Sequence, residues 1–162
     1  MNNDDFKIRQ ATETDVPVLL WFIRQLAEYE RMSDEAVLTE ETLRHSLFGP
    51  RPAAEALLGY LGDKPVAFSV FFHNFSTFLG RPGMYLEDLF VIPEMRGKGF
   101  GRALLARLAK IACDRNCGRF EWAVLDWNKP SIEFYKKLGA VPMDEWTIFR
   151  VTGDALKRLA GK

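Results

Sequence analysis

Apolar residues recur along the chain with two periods, and these periods separate predicted strands from predicted helices. Alternating or continuous apolar runs predict strands over 6–10, 55–61, 66–75, 84–92 and 120–125, with at least one more within 141–151. Apolar residues spaced three or four apart predict helices from Thr12 or Thr14 to Ala27, from Thr39 to the break at 49–52, and over 99–116, 130–138 and 154–159.

The order of these segments predicts an α/β (α+β) architecture, in which one mixed sheet is flanked by helices. The run 120–125 is nearly all apolar, which is typical of a central strand buried on both faces. No linker or repeat interrupts the pattern, so we expect one domain over 1–162.

Composition narrows the class of protein. Hydrophobic residues make up 48% of the chain, which is enough for a core. The 22 basic and 22 acidic residues cancel, which argues against a nucleic-acid partner because such proteins usually carry a basic excess. No apolar run approaches the ~20 residues that a membrane span needs. The polar N-terminus and the absence of a disulfide framework predict a cytoplasmic protein without a membrane partner.

Charge is uneven along the chain although it cancels overall. The stretch 28–41 is acidic, with Glu28, Glu30, Asp34, Glu35, Glu40 and Glu41 against Arg31. The stretch 94–119 is basic, with Arg96, Lys98, Arg102, Arg107, Lys110, Arg115 and Arg119 against Glu94 and Asp114. Two interpretations stay open: solvated helix faces, or a cationic ligand near residue 30 and an anionic ligand near residue 100.

A glycine-rich turn between a predicted strand and a predicted helix carries the strongest chemical signal. It reads Arg96-Gly97-Lys98-Gly99-Phe100-Gly101-Arg102. Glycines let a backbone approach a ligand, and a helix N-terminus presents N–H groups to anions. The dinucleotide fingerprint fails because its third glycine is missing, and no P-loop sequence is present. The pattern Arg96-x-x-Gly99-x-Gly101 matches the pyrophosphate loop for coenzyme A in the GNAT acetyltransferases.

Further segments strengthen this resemblance. Residues 85–91, 96–101 and 126–140, together with 27–32, resemble the spermidine/spermine (diamine) acetyltransferase branch of the GNAT superfamily. The resemblance implies the GNAT fold, with a splayed mixed sheet and helices on both faces. It weakens over 74–81, where the polyamine enzymes carry an acidic substrate contact and this chain has none. Smaller amines are therefore favoured over long polyamines.

The resemblance assigns roles to particular residues. An alkyl amine has a pKa of ~10.4 and must lose a proton before it attacks a thioester. Glu87 is the implied base, acting directly or through water, and Tyr135 is the implied acid that protonates the departing thiolate. Glu87 and Asp88 are neighbours on a strand, so both can face the amine only if the strand bulges.

Binding roles follow from the same resemblance. The implied coenzyme contacts are Leu89, Phe90, Val91, Arg96, Gly97, Lys98, Gly99, Phe100, Gly101, Arg102, Asn128, Lys129, Pro130, Ser131 and Tyr135. The implied substrate contacts are Tyr29, Glu30, Glu87, Asp88, Glu121 and Trp122. No metal site is expected, because His45 and His73 lack partners at ligand spacing. A homodimer is expected, because the strand 66–75 is apolar on both faces and the branch is typically dimeric.

These features together predict an enzyme that moves the acetyl group of acetyl-CoA to a primary amine of a small molecule. Diamines, polyamines and thialysine or other lysine-like amines are the expected acceptors, and the amine attacks directly because neither cysteine lies near the predicted centre. The alternatives are a protein lysine, a protein N-terminus or an antibiotic amine as acceptor, or a non-catalytic module that binds acyl-CoA.

Overall fold

The computed structural model describes residues 5–162, and the chain divides into two compact units, Met1–Ala123 and Val124–Lys162. Residues 1–4, which contribute to the expected cytoplasmic location, lie outside the described part. The first unit contains β1 (Phe6–Gln10), α1 (Val16–Tyr29), α2 (Glu40–Phe48), β2 (Glu55–Leu61), β3 (Lys64–Ser76), β4 (Arg81–Val91), α3 (Phe100–Asp114) and β5 (Phe120–Trp122). The second unit contains α4 (Lys129–Lys137) and α5 (Gly153–Leu159).

The first unit is built on a five-stranded mixed sheet with the order β1-β2-β3-β4-β5. The first four strands pair antiparallel, and β5 pairs parallel to β4. Phe68 of β3 stacks on Phe22 of α1, with ring centroids 5.1 Å apart. Its neighbour Ala67 lies opposite Val91 on the other face, where α3 begins. The predicted α+β fold, with helices on both faces of a mixed sheet, is confirmed.

The two faces of β3 explain its apolar character. Phe68 and Phe71 are both buried within the chain, although odd and even residues of a strand point to opposite faces. At Phe68 and Phe71 this chain itself covers both faces of the sheet, whereas Phe75 near the end of the strand is 61% exposed.

The sequence predicts the cap of the first helix at Thr12 or Thr14; in the structure Thr12 caps a short 3-10 turn, Glu13–Asp15, and α1 begins after it at Val16. Asp15 accepts hydrogen bonds from the backbone N–H and hydroxyl of Thr12 and pairs with Arg9 at 2.7 Å, which lowers its pKa to about 2. Pro17 follows in the first turn, where its missing N–H is tolerated. The buried face of this helix then places its last residue, Tyr29, beside β4.

Two predicted strands differ from the structure. The segment 120–125 contains only the three-residue strand β5, which lies half-buried at the edge of the sheet and not at its centre. The segment 141–151 forms no strand: Pro142 has no N–H to donate, and Trp146 N–H closes a turn onto Met143 O at 3.1 Å. None of the helices within residues 5–162 combines the length and apolar character that a bilayer crossing requires.

Candidate active site

Strand β4 contains one residue more than its partner strand needs. Val70 of β3 lies opposite Asp88, whereas the next residue, Phe71, lies opposite Leu86. Glu87 is therefore the extra residue of a β-bulge, and two residues of β4 face one position of β3. The sequence analysis required a bulge here if the side chains of both Glu87 and Asp88 were to face the amine. The structure contains this bulge.

The register fixes where Asp88 points. Asp88 lies opposite Val70, two residues from Phe68, and residues two apart on a strand share a face. That face is the one that α1 covers through Phe22. Asp88 therefore lies on the same side of the sheet as the C-terminal end of α1, where Glu30 follows the helix.

Three carboxylates interact at this place. Burial, followed by the charges of Glu87 and Glu30, raises the pKa of Asp88 to about 7. Burial also raises the pKa of Glu30. Glu87 is exposed. Negative charge is thus concentrated on one side of β4, and one of its carriers titrates near neutral pH, as a general base should.

The second half of β4 has an open edge within the first unit. Strand β5 pairs only with Met84–Leu86, and no strand of residues 5–123 continues this pairing. Ile92 N–H points to β3, where it donates to Val66 O at 3.0 Å. Because N–H directions alternate along a strand, the N–H groups of Leu89 and Val91 point to the open edge as possible hydrogen-bond donors.

The glycine-rich loop connects this edge to helix α3. Gly97 and Gly99 have φ angles of +74° and +88°, which L side chains rarely adopt. Gly99 is the N-cap of α3 and offers no side chain to the first turn. The first N–H groups of this 15-residue helix therefore have no intrahelical partner and form an anion-binding end.

The helix tip and the open edge are adjacent. A Cβ atom on Gly101 would lie 3.7 Å from Val91 Cγ2 and 3.8 Å from Leu89 Cδ2. An extended ligand with an anionic group at one end could therefore contact both the helix tip and the open N–H groups of β4. Both features form from consecutive residues, so the strand, the loop and the helix position them together.

Arg96 does not extend away from the loop. Its Nε donates to Val91 O at 3.0 Å, and its guanidinium carbon lies 4.4 Å from the ring centroid of Tyr29. The ring of Phe90 lies 5.1 Å away from the same carbon. The sequence-predicted coenzyme residue Arg96 and the sequence-predicted substrate residue Tyr29 are thus in direct contact.

Glu121 and Trp122, the two substrate contacts predicted on β5, lie on opposite faces of the sheet. Glu121 lies beside Tyr85 and accepts hydrogen bonds at 2.9 Å from Arg119 Nε and Asn74 Nδ2, so its charge is already paired. Trp122 is its strand neighbour and therefore points to the opposite face, toward the α3 side. The structure does not bring Trp122 to the three carboxylates.

Comparison with known proteins decides the family. The model of the acetyltransferase (GNAT) family matches residues 20–140, most of the chain. The chain belongs to the GNAT acetyltransferase family. The protein is accordingly an acetyltransferase enzyme, and acetyltransferases of this family use acetyl-CoA.

Individual relatives agree with this assignment. The chain is 40% identical to thialysine N-epsilon-acetyltransferase of Sus scrofa, over 96% of this chain and 97% of the relative. It is 34% identical to L-ornithine N5-acetyltransferase NATA1 of Arabidopsis thaliana, over 94% and 87% of the two chains. Among solved structures, the integron cassette protein VCH_CASS6 from V. cholerae superposes with a TM-score of 0.84 at 28% identity, covering 98% and 99% of the chains.

The remaining predicted residues of the acetyltransferase lie in the second unit. Asn128 caps α4 by accepting a hydrogen bond from Ser131 N–H at 3.4 Å, with Lys129 and Pro130 as the first helical residues. Tyr135 is half-buried on the same helix, with its ring centroid 5.4 Å from that of Phe134. The helix therefore fixes Asn128, Ser131 and Tyr135 relative to one another.

Sequence reasoning missed two features of the acetyltransferase site. It gave Asp88 a secondary role in substrate binding, because a pair of adjacent acids does not reveal which of them is buried. It also treated Phe90 only as a coenzyme contact, whereas its ring supports Arg96. Within residues 5–162 no group of three or more His, Cys, Asp or Glu side chains could hold a metal ion.

Proposed function

We propose that this acetyltransferase moves the acetyl group of acetyl-CoA to the side-chain amine of a small lysine-like molecule. Thialysine, lysine and ornithine represent the expected acceptors, and small diamines carry the same reacting group, a primary amine. The observation that carries the proposal is the cluster of Glu30, Glu87 and Asp88 on one side of β4. A compact cation matches this charge, and the names of the two relatives given above support the choice.

The coenzyme would be held by the glycine-rich loop and by the open edge of β4. The loop residues are Arg96, Gly97, Lys98, Gly99, Phe100, Gly101 and Arg102, and the first N–H groups of α3 suit its diphosphate. The N–H groups of Leu89 and Val91 suit the acetyl carbonyl and the pantetheine arm. We assign Asn128, Lys129, Pro130 and Ser131 to the coenzyme as well, on the resemblance alone.

The raised pKa of Asp88 supports a different assignment of the base from the one that the resemblance implies. We propose that Asp88 accepts the proton of the ammonium group and that Glu87 holds the cation. A carboxylate whose pKa lies near 7 removes protons at neutral pH more effectively than one with an ordinary pKa. Tyr135 is proposed to protonate the departing thiolate, as the resemblance implies. The amine attacks the thioester carbonyl directly, without an acyl-enzyme.

An amine panel tests the function. Thialysine, lysine, ornithine, putrescine, spermidine and a histone-tail peptide are assayed by release of free thiol from acetyl-CoA. We expect saturation with thialysine, lysine or ornithine and the highest kcat/KM among them, because the carboxylate cluster is compact. Spermidine should be weaker, because residues 74–81 contain no acid. Saturation with the peptide alone would contradict the proposal and favour a protein acceptor.

The assembly and domain organisation are proposals too. The family model matches residues 20–140 and so crosses the boundary between the two units at 123–124, which supports a single domain over 1–162. A homodimer is supported by the second unit, where Val141, Met143, Trp146, Ile148 and Phe149 are all exposed. Sedimentation velocity should give twice the mass of one chain, and Phe149→Glu should shift the mass to that of a monomer. A wild-type monomer at micromolar concentration would contradict the dimer. We also propose a cytoplasmic location.

A further inference from the structure

Arg96 is fixed on one side and available on the other. Its Nε–H donates to Val91 O, and its guanidinium carbon lies 4.4 Å from the ring centroid of Tyr29 and 5.1 Å from that of Phe90. A guanidinium carries five N–H donors. Within residues 5–162 the structure gives it one protein hydrogen bond, so the other donors are left for a ligand. The side chain is exposed, so a ligand can approach it.

Tyr29 belongs to a different part of the fold. It is the last residue of α1, directly before Glu30, and it does not belong to the glycine-rich loop or to β4. Tyr29 is 37% exposed, and its ring meets Phe90 edge to face at a centroid distance of 6.3 Å. The contact between Tyr29 and Arg96 therefore joins the C-terminal end of α1, next to Glu30, to the glycine-rich loop.

We propose that Tyr29 is a positioning residue for coenzyme binding: its ring holds the Arg96 guanidinium so that the outer N–H edge meets the diphosphate. The inference rests on the proposed function only in placing the coenzyme diphosphate at the loop. Arginine has a large rotamer entropy, and less of it is lost on binding when the plane is already fixed. By linkage, the coenzyme also favours the position of Tyr29 and hence of Glu30.

The size of the effect follows from the contact. An exposed cation–π contact changes an equilibrium constant about threefold to fivefold. Loss of the Tyr29 ring should weaken coenzyme binding by this factor, although Tyr29 is not expected to touch the coenzyme. Loss of Arg96 should remove the dependence on Tyr29 altogether, because the ring then has no guanidinium to hold.

The test is a double-mutant cycle read by calorimetry with coenzyme A as the probe. We expect Tyr29→Leu to raise Kd about threefold to fivefold and Tyr29→Phe to leave it within about twofold, since phenylalanine retains the ring. In the Arg96→Ala background, Tyr29→Leu should have no further effect. Trp21→Leu is the matched control, because it removes an exposed α1 aromatic that does not contact Arg96, and it should leave Kd within about twofold.

Arg96→Lys keeps the charge on a surface side chain and checks the cycle if Tyr29→Leu fails to fold. It should still raise Kd, because an ammonium cannot stack as a planar group does. An unchanged Kd in Tyr29→Leu, an equal effect of Tyr29→Leu in both backgrounds, or an Arg96→Lys variant as tight as wild type would each overturn the inference.

The double-mutant cycle and the amine panel test different proposals, so the failure of one can be distinguished from the failure of the other. If no amine is acetylated but the cycle is non-additive, the inference stands and the proposed acceptor is wrong. If amines are acetylated and the cycle is additive, the proposed function stands and Tyr29 has no role in coenzyme binding. A wild-type protein that binds no coenzyme A would overturn the inference itself.

Discussion

Asp88→Asn is expected to lower kcat/KM for the amine about a thousandfold, within the range of a lost general base. The wild-type profile of log kcat/KM against pH should have an ascending limb near pH 7, since the pKa of Asp88 is about 7 and only the carboxylate accepts a proton. The variant should lack this limb. Initial rates of thiol release between pH 5.5 and 9 measure both quantities.

Glu87→Gln is the control for Asp88→Asn. It removes the neighbouring acid, which we assign to cation binding, so the amine KM should rise while kcat falls less than tenfold. A larger loss of kcat in Glu87→Gln than in Asp88→Asn would contradict the reassignment and restore Glu87 as the base.

The raised pKa of Asp88 also predicts how stability changes with pH. An acid whose folded pKa exceeds its unfolded value stabilises the fold while it is protonated and loses that contribution as pH rises through the folded pKa. Asp88→Asn should therefore raise the free energy of unfolding at pH 8.5 by at most about 4 kcal/mol, since the pKa rises from 3.8 to about 7 and each pKa unit corresponds to about 1.36 kcal/mol, and change it little at pH 4. Urea unfolding at the two pH values measures the difference; an equal change at both would contradict it.

Tyr135→Phe is expected to lower kcat about a hundredfold while the affinity for acetyl-CoA stays within about twofold. The substitution removes only the hydroxyl, so the proton for the departing thiolate must come from water. Stopped-flow rates and calorimetry measure the two effects. Tyr60→Phe is a matched control, because it removes a phenol on β2 that accepts a hydrogen bond from Arg9 of β1, and it should leave kcat unchanged. An unchanged kcat in Tyr135→Phe would remove Tyr135 from the acid role.

The sequence predicts those parts of the fold that depend on local pattern. The Thr39 cap, the strand 55–61 and the glycines of the loop appear in the structure where the pattern places them, because capping, alternation and positive φ are decided within a few residues. Helix α3 shows the limit of this reasoning. The sequence predicts a helix over 99–116, but α3 ends at Asp114, and Asn116 takes the left-handed conformation with φ 55°.

Features that depend on distant partners are not predictable in this way. The bulge at Glu87 exists only in the register with β3, and the short length of β5 depends on how much of β4 it can pair with. The contact of Arg96 with Tyr29 joins segments 67 positions apart and has no signature in either one. The raised pKa of Asp88 likewise requires burial and the approach of Glu30, which the sequence does not encode locally.

The register of β4 has a consequence for how acceptor preference can vary. Asp88 and Leu86 lie opposite consecutive residues of β3, so the two strands would remain in step if position 87 were deleted. The Glu87 side chain is exposed and has no partner residue on β3, so it does not pack into the core. Its size and charge can be exchanged without disturbing the hydrophobic interior, which makes this single position the natural place for divergence between enzymes that accept different amines.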